Sequence, residues 1–172
     1  MARHLDKTFI EQINRNARIA RRVCGLYFTD SEERKDALQE MMYQLWKSYP
    51  AFGGRSKFST WMYSVCLKTA LTYRRKYVCG RNVSLSEGHF QLPGEPTGGK
   101  QERTEALLGA VARLSPLNKA ITLLYLEEMS YEEIAQVTGL SKPNVSVRLV
   151  RIKKELEIIL RKQFNSYSDV ST

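Results

Sequence analysis

The chain has 172 residues, 42% hydrophobic and 26% charged, with 27 Lys plus Arg against 18 Asp plus Glu for a net charge of +9. That balance fits a globular protein with a polyanionic partner, most often nucleic acid and less often an anionic membrane surface. No apolar run approaches the roughly 18 residues that span a bilayer, which sets a membrane-spanning protein aside.

Met1 to Thr8 lacks the apolar stretch of a signal peptide, so a cytoplasmic protein is expected. Cys24, Cys66 and Cys79 show no CxxC spacing, and only two histidines are present to join them, so neither a zinc site nor a disulfide framework is indicated. The cysteines read as reduced packing residues, with redox sensing at Cys79 as the alternative. No triad, phosphate loop or metal cluster points to an enzyme or a cofactor.

Helical periodicity dominates from the start, and the expected fold is all-α. Ile10, Ile13, Ala17, Ala20, Cys24 and Tyr27 recur at three- and four-residue steps, which predicts an amphipathic helix from about Lys7 to Phe28. After a polar turn at Asp30 to Glu33, Leu38, Met41, Met42, Leu45, Trp46 and Tyr49 repeat the pattern until Pro50. A third helix from about Lys57 to Tyr77 would turn Phe58, Trp61, Met62, Val65 and Thr69 inward, and residues 1–78 then close one core. Residues 79–102 hold five of the ten glycines and two prolines without an apolar period, the composition of a flexible linker. As a coil it would span about 25 to 30 Å and at full stretch about 80 Å.

A second domain, 103–165, opens with the stripe Ala106, Leu107, Ala110, Val111 and Leu114. Ser115 and Pro116 supply an N-cap and a first-turn proline for a helix with Leu117, Ile121 and Leu124. Ser130 and Glu133 have capping-box spacing, Gly139 permits a left-handed turn, and Ser141 can cap the helix that follows. Two helices joined through such a short turn form a helix-turn-helix outline. On a wheel of the second helix, Val145, Leu149, Ile152 and Leu156 fall on one side. Ser146, Val147, Val150, Arg151 and Lys154 fall roughly opposite, with Lys142 and Asn144 near the N-terminal end. Such a helix fits the major groove. Arg151 is a candidate for guanine or phosphate, Asn144 and Ser146 for base edges or backbone, and Lys142, Lys153 and Lys154 for phosphates. A solvated amphipathic helix would share the pattern. Arg148, close to the buried stripe, is expected to snorkel or to pair with an acidic neighbour. Residues 166–172 read as a disordered tail.

Between Glu40 and Glu87 there is no Asp or Glu, yet Lys47, Arg55, Lys57, Lys68, Arg74, Arg75, Lys76 and Arg81 all fall there, with both tryptophans. Cations track a phosphate backbone and aromatic faces stack on unpaired bases, so the segment has the composition of a single-strand binder. Phe58 and Trp61 read better as core, whereas Tyr63 and Tyr73 are expected at the surface. Asp36, Glu40, Tyr43 and Lys47 share a polar face beside Gln39, equally compatible with docking a protein and with simple solvation.

In this order, DALQEMMYQLWKSYPAF (36–52), FSTWMYSVCLKTALTYRRK (58–76) and the stretch from Leu114 to Leu156 resemble the sigma factors of bacterial RNA polymerase, specifically the small two-domain extracytoplasmic-function group. The resemblance implies a promoter-specificity subunit that binds core RNA polymerase through Asp36, Gln39 and Glu40. It implies a melted promoter strand held by Arg55, Lys57, Tyr63, Lys68, Arg74, Arg75 and Lys76, and promoter duplex read by the helix-turn-helix. An anti-sigma protein is an implied partner, and no stable homo-oligomer is expected. Where the family usually has Asn and Asp, this chain has Lys68 and Thr72. A dimeric operator-binding repressor or activator is the rival reading, and an RNA-binding or membrane-surface protein is supported by charge alone.

Overall fold

The computed structural model describes the backbone of residues 2–78 and 100–168 and the side chains of residues 7–76 and 103–162. The chain divides into two compact units, and every regular element in the described residues is helical. Most of the expected linker, 79–99, lies outside the described residues, as do 169–172 of the expected tail.

The first unit is built from α1 (Ala2–Tyr27), α2 (Ser31–Ser48) and α3 (Phe58–Tyr73). Asp30 starts α2: its carboxylate accepts from the Glu32 and Glu33 amides, both at 2.9 Å, satisfying two donors that the first turn leaves orphaned. The Arg34 guanidinium donates back to the Phe28 carbonyl at 2.7 Å and fixes the corner between α1 and α2. Pro50 does not end the chain's helical course abruptly. It enters a 3-10 turn, Tyr49–Ala51, where a first-turn proline forfeits no hydrogen bond. Gly53 (φ 59°) and Gly54 (φ 67°) then reverse the chain in left-handed conformations.

Helix α3 packs on both α1 and α2, and its buried arc is correspondingly wide: Thr60, Met62, Tyr63, Cys66, Leu67 and Ala70. This corrects the inward stripe expected from sequence. Val65 and Thr69 are half-buried, while Tyr63, expected at the surface, is only 3% exposed. Phe58 and Trp61 are half-buried too, because their rings pack on Tyr49 and Phe52 at centroid distances of 4.9 to 6.3 Å, in an aromatic cluster beside the helical core. Two other expectations fail in the same way: Ile10 lies exposed on α1, and Trp46 is 60% exposed on α2. Ala20, Ala37 and Ala70 are wholly buried, one from each helix, so small side chains sit in the shared interior. After α3 the backbone widens into a π-turn, Arg74–Val78, not the regular helical end expected.

The second unit comprises α4 (Lys100–Ala112), α5 (Pro116–Leu126), α6 (Tyr131–Thr138) and α7 (Lys142–Ser168). The last helix continues past the expected domain boundary at 165. Its core is made by Leu108, Val111 and Leu114 with Ile121, Leu124, Ile134, Val137, Val145, Leu149 and Ile152.

Cys24 and Cys66 are buried and free. The Cys24 thiol lies 3.6 Å from the Met41 sulfur, and burial pushes it up to about 12; burial drives the Cys66 thiol still higher. A thiol reacts as its thiolate, so neither is a nucleophile in the folded protein. Among the described residues no cluster of metal-ligating side chains forms, and no helix is long and apolar enough to cross a membrane.

Alkylation at pH 8 followed by peptide mapping should leave Cys24 and Cys66 unmodified until denaturant is added. The buried Tyr63 hydroxyl has no hydrogen-bond partner in the described structure. Its desolvation is therefore uncompensated, and Tyr63→Phe should leave thermal stability unchanged or raise it by about 1 kcal/mol. A loss of more than that in a melting experiment would show the hydroxyl to be satisfied.

Candidate nucleic-acid interface

The site in the second unit begins with its caps. The Ser115 hydroxyl accepts from the Asn118 amide at 3.3 Å, with Pro116 in the first turn of α5. Both arms of the capping box on α6 are formed: the Glu133 amide donates to the Ser130 hydroxyl at 3.2 Å and the Ser130 amide donates to the Glu133 carboxylate at 2.9 Å. Gly139 ends α6 at φ 76°, its amide bonded to the Ala135 carbonyl at 2.9 Å. Two residues later Ser141 starts α7 by accepting from the Asn144 amide at 3.4 Å. The whole turn is thus defined by side chains within four residues of the backbone they bind.

Burial then orients α7. Val145, Leu149 and Ile152 are at most 2% exposed, and the helix packs on α4, α5 and α6. The opposite face is necessarily turned outward, and it carries Asn144, Val147, Val150, Arg151 and Lys154, all exposed. Ser146 lies at the edge of this face and is half-buried.

Three cationic side chains are held from a distance in sequence. Arg148 bonds the Asn118 side-chain oxygen at 3.4 Å, so its partner is an amide, where snorkelling or an acidic partner was expected. Lys142 pairs with Glu132 of α6, and the hydrogen bond from Lys142 holds the Glu132 carboxyl below its ordinary value. Lys153 donates to the Tyr125 hydroxyl at 3.2 Å and lies 4.7 Å from that ring's centroid; the hydrogen bond raises its affinity for a proton. These contacts lie 10 to 30 residues apart, beyond what local patterning reveals.

In the first unit, Asp36 and Gln39 are exposed on α2 and Glu40 is half-buried, accepting from the Gln44 side chain at 2.8 Å. The same helix exposes Tyr43 and Trp46, with Lys47 at 5.8 Å from the Tyr43 ring. Arg55 and Lys57 are exposed around the glycine turn, and Lys68, Arg75 and Lys76 are exposed along and after α3. Lys68 lies on α3 itself, whereas Arg75 and Lys76 lie in the π-turn that follows it. Arg74 is half-buried, and its charge acts on the Tyr27 hydroxyl that burial pushes strongly upward. Tyr63 belongs to the core and not to this surface.

The described residues, all of whose regular elements are helical, place a cationic helix-turn-helix in one unit and exposed cations on the helices of the other, which is the pattern of a nucleic-acid-binding protein. The family comparisons assign it more closely. The Sigma-70 region 2 family matches residues 12–78 and the Sigma-70, region 4 family matches residues 104–156, together more than half of the chain. It belongs to the sigma factors of bacterial RNA polymerase, in the extracytoplasmic-function group. Among similar proteins, the RNA polymerase sigma factor YlaC of Bacillus subtilis is 26% identical over 133 residues, covering 73% of this chain and 76% of the relative. The RNA polymerase sigma-H factor of Pseudomonas aeruginosa is 24% identical over 181 residues, covering 91% and 94%. The fold is that of the sigma factor RpoE in its co-crystal structure with the anti-sigma factor NepR from Bartonella quintana, with a TM-score of 0.68 at 21% identity, covering 90% of this chain and 98% of that one. As a sigma factor the protein binds core RNA polymerase and promoter DNA and directs transcription initiation, while the chemistry of RNA synthesis belongs to the polymerase.

Gly139→Ala meets open space at its new Cβ but keeps a backbone that L-residues disfavour. It should cost about 1 to 2 kcal/mol. The second unit should melt earlier by several degrees and promoter binding should weaken. A variant that melts with the parent would show the turn to be strain-free.

Proposed function

We propose a division of labour between the two units. The outward face of α7 seats in the major groove of a duplex promoter element, with Arg151 to guanine or phosphate, Asn144 and Ser146 to base edges or backbone, and Lys142 and Lys154 to phosphates. The carrying observation is that Arg151 and Lys154 are exposed on the side of α7 turned away from the buried Val145, Leu149 and Ile152, with Asn144 exposed at the edge of that side near the N-terminal end. In the first unit, Asp36, Gln39 and Glu40 dock on core polymerase. Arg55, Lys57, Lys68, Arg75 and Lys76 hold the displaced strand after DNA opening, and Arg74 supports that surface from its half-buried position. Residues 79–102 tether the two. The protein acts in the cytoplasm, where polymerase and promoters are, and an anti-sigma protein restrains it by competing with polymerase.

Arg151→Ala should weaken promoter binding by the reconstituted holoenzyme about 10-fold, within the range for loss of one good base or phosphate contact. Its association with core polymerase should be unchanged. Asp36→Arg with Glu40→Arg should do the reverse, abolishing co-purification with core polymerase while leaving the helix-turn-helix intact. Equal failure of both variants in one assay would defeat the division.

A further inference from the structure

The cations on α7 account for attraction to DNA but not for what lies at the centre of its outward face. There the helix places two valines, Val147 at 49% and Val150 at 54% exposure. Each lowers helix propensity relative to Ala, and neither side chain is buried against its own unit. Exposed apolar residues are common singly, but these two are one turn apart and flanked by Asn144, Arg151 and Lys154. The charge around them selects a polyanion as occupant, and the second helix of a helix-turn-helix selects the major groove. In that groove the apolar feature of a base edge is the C5-methyl of thymine.

We infer that Val147 and Val150 read thymine methyl groups, so that the duplex element bound by α7 carries thymine at one or two successive base pairs. The inference rests on the proposed seating of α7 and adds what the helix seeks there. Three residues along a helix advance about 4.5 Å, close to the roughly 3.4 Å step between base pairs, so both side chains can meet neighbouring pairs at once. The same valines disfavour a G·C pair at those steps, since they desolvate its polar edge and return no hydrogen bond. Arg151, four residues from Val147, remains free to bond guanine or phosphate beside them.

The test uses holoenzyme reconstituted from core polymerase and the full chain. A duplex selected from a randomised pool is resynthesised with deoxyuridine for each thymine of the duplex-bound element, a change that removes the methyl alone. Affinity should fall about fourfold per contacted methyl. In Val147→Ala with Val150→Ala holoenzyme that difference should vanish, while the melting temperature of the chain stays at or above the parent value, since alanine is the better helix former at two exposed positions. Absence of thymine from the selected element, indifference to deoxyuridine at every position, or an equal loss in the valine variant overturns the inference. If Arg151→Ala weakens binding and deoxyuridine does not, the valine reading alone falls. If Arg151→Ala also changes nothing, the seating of α7 falls with it.

Discussion

Burial of Val145, Leu149 and Ile152 is the constraint from which the outward face of α7 follows. A helix offers a defined face to a partner only when the other face is held, and burying an aliphatic side chain contributes about 1.5 to 3 kcal/mol. The surface contacts that also reach α7, from Lys142 to Glu132 and from Lys153 to Tyr125, join exposed groups, where solvent screening leaves little net stabilisation. The core therefore sets the orientation, and the surface pairs adjust which cations are presented. Arg148 shows the boundary between the two regimes: half-buried beside the core stripe, it is satisfied by Asn118 and is withdrawn from the outward face.

The first unit solves a different problem. Helix α3 lies against both α1 and α2, so its buried arc must be apolar or neutral over much of its circumference, and charges are confined to what is left. With no carboxylate between Glu40 and Glu87, Arg55, Lys57, Lys68, Arg75 and Lys76 crowd one sign of charge onto that remainder. Helix α2 holds its charges otherwise, with Lys35 bonded to Glu32 at 2.7 Å. At physiological salt exposed charges more than about 8 Å apart are largely screened from one another, so each of these cations acts mainly on its immediate surroundings. In the proposed binding of the displaced strand, each phosphate met by one of them releases a condensed counterion, which favours the strand over solvent.

How much of this was legible in the sequence depended on the distance over which each feature is encoded. The capping box Ser130 to Glu133, the left-handed Gly139 and the Ser115–Pro116 start are complete within a few residues, and the structure forms each as expected. The buried stripe of α7 was readable for Val145, Leu149 and Ile152, whereas Leu156, the fourth residue expected in it, is half-buried. Helix α3 was not, because it faces two neighbours, and because Phe58 and Trp61, its largest apolar residues, were drawn to Tyr49 and Phe52 at its start. Tyr63 was then left to the interior with its hydroxyl unsatisfied, against the preference of a tyrosine for a wet end. Trp46 was misplaced for the opposite reason: periodicity marks it as apolar but does not say that Ala37, Met41 and Leu45 already fill the core side of α2.

In the proposed division of labour the two units also divide affinity from discrimination. Contacts of Lys and Arg with phosphate are blind to sequence, and stacking on unpaired bases is tolerant of it, so most of the first unit's cationic surface can bind many promoters alike. Discrimination requires groups that meet base edges, and in the proposed seating of α7 these are Asn144 and Arg151 beside the exposed valines. A cation gains from any duplex, whereas an apolar side chain in the groove gains from a methyl and loses against a polar edge. In the proposed seating of α7, valines set among cations separate where the helix lands from whether it stays.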